Sequence, residues 1–182
     1  METVDDPFVV LATIASRSTV GARGLPQQID AMTTWSGIGF NLMGLRFVVP
    51  MTEVAELLER PGSTRIPGVK PWVKGVANVR GRLLPLVDLE VFFGGKLSGN
   101  RKRQRVFAID IGELYTGVLV SEVFGMQHFP IDSYSANDTL DEDHKPFAPY
   151  LRGTYQNEQQ SWTVFSLHEL VRDPRFFNAA VH

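Results

Sequence analysis

The feature that most constrains the fold of this chain is an internal repeat. Residues 71–75 (PWVKG) resemble residues 149–153 (PYLRG) at an offset of 78 residues. The same offset aligns residues 86–89 (LVDL) with residues 164–167 (VFSL), and no gap is needed between the two blocks. Each copy combines an aromatic residue, a basic residue, a glycine, two strand-like runs and a capped helix. Such self-similarity predicts two related barrel lobes, each closed by an equivalent hairpin and helix.

From Trp35 onward, short strand-like runs alternate with turn signals, a pattern typical of small β-barrels and not of a helical bundle. Three pairs of runs flank two-residue turns at Met43-Gly44, Arg80-Gly81 and Gly112-Glu113. Glycine at the first loop position suits a type II′ turn, whose twist matches that of paired strands. The sequence therefore predicts three β-hairpins within a mainly β fold.

Two short helices are predicted, one in each copy of the repeat. Asp88 can cap the first helix, and Gly94-Gly95 ends it. Ser166 and Glu169 have the spacing of a capping box, in which each side chain accepts a hydrogen bond from the other residue's backbone N–H. Pro174 is expected to stop the second helix.

Ahead of the repeat, residues 7–22 have the pattern of an amphipathic helix that Asp6 can cap. Such a helix either docks on its own domain or binds a partner, and the sequence leaves both possibilities open. The expected organisation is an N-terminal helical extension over residues 1–33, a two-lobed domain over residues 34–172 and a C-terminal tail over residues 173–182. The acidic N-terminus argues against a secretory signal. No stretch approaches the ~20 apolar residues that span a bilayer, so we expect a cytoplasmic protein.

Composition excludes several classes of site. The chain has no cysteine, which rules out disulfides, thiolate catalysis and cysteine metal sites. The formal net charge is −2 and charged residues make up 21% of the chain, so no field that attracts nucleic acid or membrane is expected. The single basic run, residues 101–105 (RKRQR), is interpreted as a solvated loop because no aromatic side chains interleave with it.

The common signatures of catalysis are absent from the sequence. It contains no phosphate-binding loop, no GxGxxG and no GxSxG motif. The four histidines lack the spacing of metal ligands, and the acidic residues 138–143 lack the spacing of an EF-hand loop. We therefore expect a binding module that is not an enzyme and that needs no cofactor or metal ion.

The central blocks of the chain resemble the signature of the CheW family. These blocks are residues 54–57 (VAEL), 66–67 (IP), 73–81 (VKGVANVRG) and 85–89 (PLVDL), followed by 117–123 (GVLVSEV) and 151–153 (LRG). The resemblance covers roughly residues 35 to 172. Within the family, residues 35–40, 72–78 and 123–130 are most similar to adaptors of the chemosensory systems that control type IV pili and twitching motility.

The resemblance implies a fold of two packed five-stranded SH3-like barrels with a groove between them. It also implies a non-enzymatic adaptor that joins the cytoplasmic tip of a methyl-accepting chemoreceptor to the regulatory domain of a CheA-like histidine kinase. Such an adaptor would be recruited to membrane-bound receptor arrays. A helical hairpin of the receptor would dock in the groove, whose matching positions are Val54, Glu56, Leu57, Gly75, Asn78, Arg80, Gly81, Gly117 and Val123.

The resemblance also assigns roles to individual residues. Arg80 is implied to pair with Glu56, and strand alternation would place Arg80 on one face with Asn78. Gly75 and Gly117 would let a partner's backbone approach closely, or would form tight bends at barrel corners. The family often has aspartate where this chain has Ser121, so a charged contact would be lost at this position.

Pro85 lies inside a strand-like run, and because proline cannot donate to a ladder we expect it at an edge or a bulge. An exposed edge would suit docking of the kinase, and a barrel corner explains the proline equally well. Two other functions are considered: a small barrel that binds nucleic acid or another ligand, and an enzyme whose site is assembled only in space. The near-neutral charge argues against nucleic acid.

Overall fold

A computed structural model describes residues 34–136, 141–157 and 160–178 of the chain. These residues all belong to one compact unit that begins at Thr34. The helix predicted over residues 7–22 lies outside the described residues, as do the last four residues of the predicted C-terminal tail, 179–182.

The described residues form a mainly β structure, as predicted. The strands are β1 Thr34–Leu42, β2 Leu45–Pro50, β3 Glu56–Glu59, β4 Val73–Val79, β5 Arg82–Asp88, β6 Arg105–Ile111, β7 Leu114–Val120, β8 Glu122–Pro130, β9 Tyr134–Ser135, β10 Leu151–Asn157 and β11 Gln160–Phe165. The α-helices are α1 Leu89–Phe92, α2 Leu167–Arg172 and α3 Pro174–Phe177. Three 3₁₀ helices cover Met51–Glu53, Ile131–Ser133 and Glu142–Tyr150.

The strands form two sheets, one in each lobe. Lobe A holds a sheet in the order β8-β1-β2-β11-β10-β9, and lobe B holds a sheet in the order β3-β6-β7-β5-β4. Lobe A has a sixth strand, β9, of only two residues. Its counterpart in lobe B is a single bridge from Thr64 to Val76. The two sheets therefore follow the same plan, with one parallel pair in each, β2–β11 in lobe A and β5–β7 in lobe B.

The structure bears out the internal repeat in atomic detail. The backbone N–H of Asp88 donates to the carbonyl of Trp72 at 2.7 Å, and Ser166 donates to Tyr150 at 2.8 Å. The first strand of the hairpin is bulged in both copies. The register shifts near Gly75 in β4 and near Gly153 in β10. The φ angles of these two glycines are 128° and 130°.

All three predicted hairpins are present. β1 pairs with β2, β4 with β5 and β6 with β7, each antiparallel. The turns differ in type, however, because Met43 and Arg80 have φ angles of 54° and 52° and each precedes a glycine with positive φ. Two successive residues with positive φ are typical of a type I′ turn, whereas Gly112 alone has positive φ in the third hairpin.

The largest hydrophobic cluster lies between the two sheets. Phe40 and Phe47 from lobe A, Phe107 and Val118 from lobe B are all fully buried in it. The rings of Phe40 and Phe107 meet edge to face across the lobes, with centroids 5.5 Å apart. The opposite face of each sheet covers a smaller cluster, one around Trp162 in lobe A and one around Leu86 in lobe B. The central strands are therefore apolar on both faces.

Of the two positions predicted for Pro85, an edge or a bulge, the structure excludes the edge, because β5 is flanked by β7 and β4. The register of the β4–β5 pair does shift beside Pro85, between Val73 and Gly75 of β4. The neighbour of Pro85 on β4, Val76, exchanges both backbone hydrogen bonds with Thr64, so no ladder bond to Pro85 is needed there. Towards β7 the parallel ladder starts one residue later, at Leu86. The missing N–H therefore falls where the sheet does not require a donor.

Only one of the two hydrogen bonds of the predicted capping box is present. The Ser166 Oγ accepts from the backbone N–H of Glu169 at 3.2 Å, as expected. The backbone N–H of Ser166 is already bound to Tyr150, so the Glu169 carboxylate points elsewhere and accepts from Arg152 and Arg172. The first helix follows the prediction, since Asp88 accepts from the N–H of Val91 at 3.1 Å.

Candidate partner-binding surface

Two of the predicted site residues lie where the chain crosses between the lobes. After β2 the chain leaves lobe A through the 3₁₀ helix Met51–Glu53, and after β7 it returns through Ser121. Val54 and Val123 directly follow these crossings. Both are half-buried and pack against the cluster between the sheets. They are thus held in place by the core and expose only part of their side chains.

Arg80 and Glu56 form the predicted ion pair, with Arg80 Nη2 2.5 Å from Glu56 Oε1. Glu56 begins β3 and Arg80 lies in the β4–β5 turn, so the pair joins the strand at one end of the lobe B sheet to the hairpin at the other end. The Arg80 side chain is 79% exposed and that of Glu56 is 29% exposed. Most of the guanidinium donors therefore remain available to a partner.

The turn that carries Arg80 is fixed by its own hydrogen bonds. The Asn78 Oδ1 accepts from the backbone N–H of Gly81 at 2.9 Å. Arg80 lies in the turn itself, with a φ of 52°, and is not on a strand face beside Asn78 as the sequence suggested. Gly81 has a φ of 83°, and a Cβ atom there would meet nothing within 4 Å. The turn geometry rather than strand alternation directs the guanidinium towards Glu56.

The two other glycines of the predicted groove are buried within lobe B. A Cβ atom on Gly75 would lie 2.1 Å from the carbonyl oxygen of Thr64. A Cβ atom on Gly117 would lie 2.7 Å from Val106 and 2.8 Å from Leu86. Both glycines are required by close packing inside the lobe, so the structure does not bring them to the same surface as Arg80. Of the two predicted roles, packing inside the lobe accounts for both glycines, and contact with a partner's backbone stays a prediction.

The predicted site thus divides into an exposed group and a buried group. Leu57, with 41% of its surface exposed, Asn78, Arg80 and Gly81 are accessible on lobe B. Leu57 lies on the edge strand β3 beside Glu56. These residues can contact a partner directly, whereas Gly75 and Gly117 shape the lobe that presents them.

A polar cleft lies at the second crossing. It has a volume of about 380 Å³ and is lined by Asn41, Ser98, Gly99, Asn100, Arg103, Ser121 and Glu122. Ser121 is 4% exposed, and Arg103 pairs with Glu122 at 3.0 Å above it. The hydroxyl that replaces the family's usual aspartate is therefore buried beside a salt bridge and presents no charge to a partner.

Sequence reasoning missed the buried carboxylate of Glu53. It accepts from the Ser166 Oγ at 3.0 Å and from the backbone N–H of His168 at 3.1 Å. It also pairs with Arg152 at 3.2 Å. In the other copy of the repeat, Lys74 pairs with Asp88 at 3.0 Å. The second copy has a neutral serine as helix cap, and Glu53 supplies the missing carboxylate from a distant part of the chain.

The ionisable groups of the described residues suggest structural rather than catalytic roles. The most strongly shifted carboxyl is Asp173, whose pKa is lowered to about 2 by hydrogen bonds from Arg175, with a further bond from Tyr150. Burial and the hydrogen bond to Asp173 raise the pKa of the Tyr150 hydroxyl. Among residues 34–136, 141–157 and 160–178, no group of histidine and acidic side chains is placed to hold a metal ion. No helix within these ranges has the length and apolar character to cross a membrane.

The comparison that decides the family is the match of the CheW-like domain to residues 36–175. The chain belongs to the CheW-like domain family. Protein PilI of Pseudomonas aeruginosa is 47% identical over 181 residues and covers 100% of both chains. The chemotaxis protein CheW of Helicobacter pylori is 28% identical over 86 residues, which is 47% of this chain and 52% of the other. The predicted resemblance to the CheW family is confirmed.

A solved CheW structure confirms the fold class. The scaffolding protein TtCheW from Thermoanaerobacter tengcongensis superposes with a TM-score of 0.63, covering 78% of this chain and 94% of that one. The two sequences are 21% identical, so the match concerns the fold alone. The family match and the relatives thus agree on a CheW-like protein.

Proposed function

We propose that this CheW-like protein couples a methyl-accepting chemoreceptor to a CheA-like histidine kinase, in the chemosensory system that controls type IV pili and twitching motility. The observation that carries the proposal is the 47% identity to PilI over the full length of both chains. The protein would act in the cytoplasm, recruited to membrane-bound receptor arrays through its partners.

The receptor side of the proposal rests on the exposed part of the candidate surface. Glu56 and Arg80 form an ion pair whose arginine is 79% exposed, and its free donors suit a carboxylate on a partner helix. Leu57 follows Glu56 on β3 and is 41% exposed, but it lies on the opposite face of the strand and would make a separate apolar contact. Val54 and Val123 would support the same contact from the crossings between the lobes.

The kinase side rests on the resemblance to the family, which implies that the regulatory domain of the kinase has the same fold as the adaptor. A regulatory domain built from the same barrels could meet the adaptor barrel to barrel, and the edges available for this are β3 in lobe B and β8 in lobe A. Phe124 and Met126 on β8 are 39% and 52% exposed. Contacts of modest area would suffice, because holding receptor and kinase on one scaffold raises their effective concentration.

Reversal of the charge on Arg80 tests the receptor contact. In Arg80→Glu, two carboxylates face each other at the tip of the hairpin, and we expect at least a tenfold loss of affinity for the receptor's cytoplasmic tip. The fold should be retained, because an ion pair this exposed contributes at most about 1 kcal/mol. Calorimetric titration of a soluble receptor fragment measures the change.

Arg172→Glu is the matched control. Arg172 is 73% exposed and pairs with Glu169 at 3.1 Å on α2 of lobe A, whereas Arg80 and Glu56 belong to lobe B. The Arg172→Glu variant should bind the receptor fragment with the same affinity as the wild type. Equal loss of affinity in both variants, or unchanged affinity in Arg80→Glu, would argue against the assignment of this surface.

A further inference from the structure

The buried carboxylate of Glu53 ties the first crossing between the lobes to a helix of lobe A. Glu53 is 4% exposed and ends the 3₁₀ helix through which the chain leaves lobe A. Its Oε1 accepts from the Ser166 hydroxyl at 3.0 Å and lies 3.2 Å from the Arg152 guanidinium. Its Oε2 accepts from the backbone N–H of His168, in the first turn of α2, at 3.1 Å. Both oxygens of a residue on the crossing therefore bind lobe A.

The internal repeat shows that this capping does not require a carboxylate on the crossing. At the offset of 78 residues, Ser166 corresponds to Asp88 and Arg152 corresponds to Lys74. In lobe B, Asp88 caps its own helix and pairs with Lys74 at 3.0 Å, so the cap and its cation lie in one hairpin and helix. An aspartate at position 166 would serve lobe A in the same way. The carboxylate of Glu53 does more than a local cap, because it also fastens the segment that carries it.

The segment after Glu53 is held from the other side by lobe B. The backbone N–H of Ala55 donates to the carbonyl of Ala108 on β6 at 2.8 Å. Between these two attachments lies Val54, which is half-buried against the cluster between the lobes. Glu56 follows as the first residue of β3. The stretch that begins the candidate partner-binding surface is thus attached to both lobes.

The turn that carries Glu53 has little internal support of its own. The 3₁₀ helix Met51–Glu53 is a single turn, and of its three residues only Glu53 is buried. The bond that closes it, from the Val54 N–H to the Met51 carbonyl, is 3.3 Å long, which is weak for a backbone hydrogen bond. Loss of the Glu53 carboxylate would therefore free the lobe A side of the crossing.

We propose that Glu53 is a positioning residue for the receptor contact, an inference that rests on the proposed adaptor function. Its carboxylate holds the crossing against α2, so that Val54 and Glu56 are in place before the receptor binds. A surface that is fixed in advance loses less conformational entropy on binding. Because Glu56 pairs with Arg80, a loose crossing also loosens the arginine that would meet the receptor.

The test moves the carboxylate from the crossing to the helix. Glu53→Ala removes it, and in Glu53→Ala/Ser166→Asp a new carboxylate caps α2 and pairs with Arg152 as Asp88 does with Lys74. We expect the single variant to lower the urea midpoint, because it leaves buried donors unpaired, and the double variant to restore most of it. Affinity for a soluble fragment of the receptor's cytoplasmic tip should fall about tenfold in both, since binding must then order the crossing.

Exchange of the Ala55 amide hydrogen gives a readout that does not involve the receptor. In the double variant this amide should exchange about ten times faster than in the wild type, whereas the amide of the fully buried Val118 in β7 keeps its rate. Glu169→Gln is the matched control, because Glu169 on α2 contacts the same Arg152 guanidinium at 3.4 Å but does not belong to the crossing. Its receptor affinity and its Ala55 exchange should equal those of the wild type.

The outcomes separate this inference from the proposed function. If the double variant recovers the urea midpoint and binds the receptor fragment like the wild type, Glu53 only caps the helix, and the positioning role is overturned while the adaptor function stands. Wild-type exchange of the Ala55 amide in the double variant overturns the role as well, as does an equal loss of affinity in Glu169→Gln. A double variant as unstable as Glu53→Ala contradicts the equivalence of the two copies on which the role rests. If the wild type does not bind the receptor fragment, the proposed function fails and the positioning role fails with it.

Discussion

At the scale of single residues, close packing decides where glycine is needed. Gly75 and Gly81 both have positive φ, yet only Gly75 lies against backbone, 2.1 Å from the Thr64 carbonyl at the position of a Cβ atom. Sequence patterns identify such glycines, since both lie in the family signature. They do not separate a glycine that packs inside a lobe from one that faces a partner, because the contact is made by a residue outside the motif.

Substitution of Gly75 tests this distinction. We expect Gly75→Ala to lower the free energy of unfolding by roughly 3 kcal/mol or more, because the methyl group adds a clash to an unfavourable φ. Gly81→Ala should cost only about 1 kcal/mol, since it meets the φ penalty alone. Urea denaturation followed by tryptophan fluorescence measures both. Equal destabilisation by the two variants would contradict the packing argument.

The polar residues show the same division between local and distant causes. Asp88 caps its helix as the sequence predicts, because cap and helix lie together in the chain. The carboxylate of Glu53 contacts Ser166 although the two residues are 113 positions apart in the chain, and nothing in either local sequence indicates this contact. The pairing of Arg80 with Glu56 was predictable only through the resemblance to the family.

At the scale of elements, the two copies of the repeat differ after their helices. α1 ends at Phe92, whereas α2 is followed by α3, which returns to the core. The Arg175 guanidinium donates to Asp173 at 2.9 Å and to the Tyr150 hydroxyl at 2.6 Å, and it lies 5.2 Å from the centre of the Phe92 ring. The segment thus ties the helix of lobe A to the helix of lobe B.

Titration of Asp173 tests whether its contact with Arg175 stabilises the domain. Its pKa is lowered from 3.8 to about 2 in the folded state, so its contribution is complete above pH 4 and disappears as the pH falls to 2. We expect wild type to exceed Asp173→Asn by up to about 2 kcal/mol in the free energy of unfolding at pH 6, and by almost nothing near pH 2. Urea midpoints measured from pH 2 to pH 6 give the comparison.

Asp110→Asn is a suitable control, because Asp110 also pairs with an arginine but lies in an exposed pair at the surface. It should change the midpoint less than Asp173→Asn at pH 6. If the free energies of unfolding of wild type and Asp173→Asn differ by the same amount from pH 2 to pH 6, the ionised Asp173 carboxylate does not stabilise the domain through Arg175.

The strand pairings also show which contacts sequence patterns predict and which they miss. The three hairpins with two-residue turns were predicted, because such turns with glycine specify neighbouring strands locally. The parallel pairs β5–β7 and β2–β11 were not predicted, since they join strands far apart in the chain. The edge position considered for Pro85 fails for this reason, because the parallel partner β7 makes β5 an interior strand.

At the scale of the whole domain, the two lobes share one core and exchange strands. Lobe A takes β1 and β2 from the start of the described chain and β8 to β11 from its end, whereas lobe B is built from β3 to β7 between them. The repeat predicted two lobes, but it could not predict this exchange, because the aligned blocks cover only a hairpin and a helix in each lobe. A shared core fixes the crossings that carry Val54 and Val123.

The measurement that tests the adaptor function most directly is bridging. Receptor tip fragments are immobilised on beads, and the kinase regulatory domain is added with or without the wild-type chain. We predict that the kinase domain is retained only when the wild-type chain is present, and that Arg80→Glu abolishes this retention. Retention of the kinase that is unchanged by adding the wild-type chain would contradict the proposal that this protein couples the two.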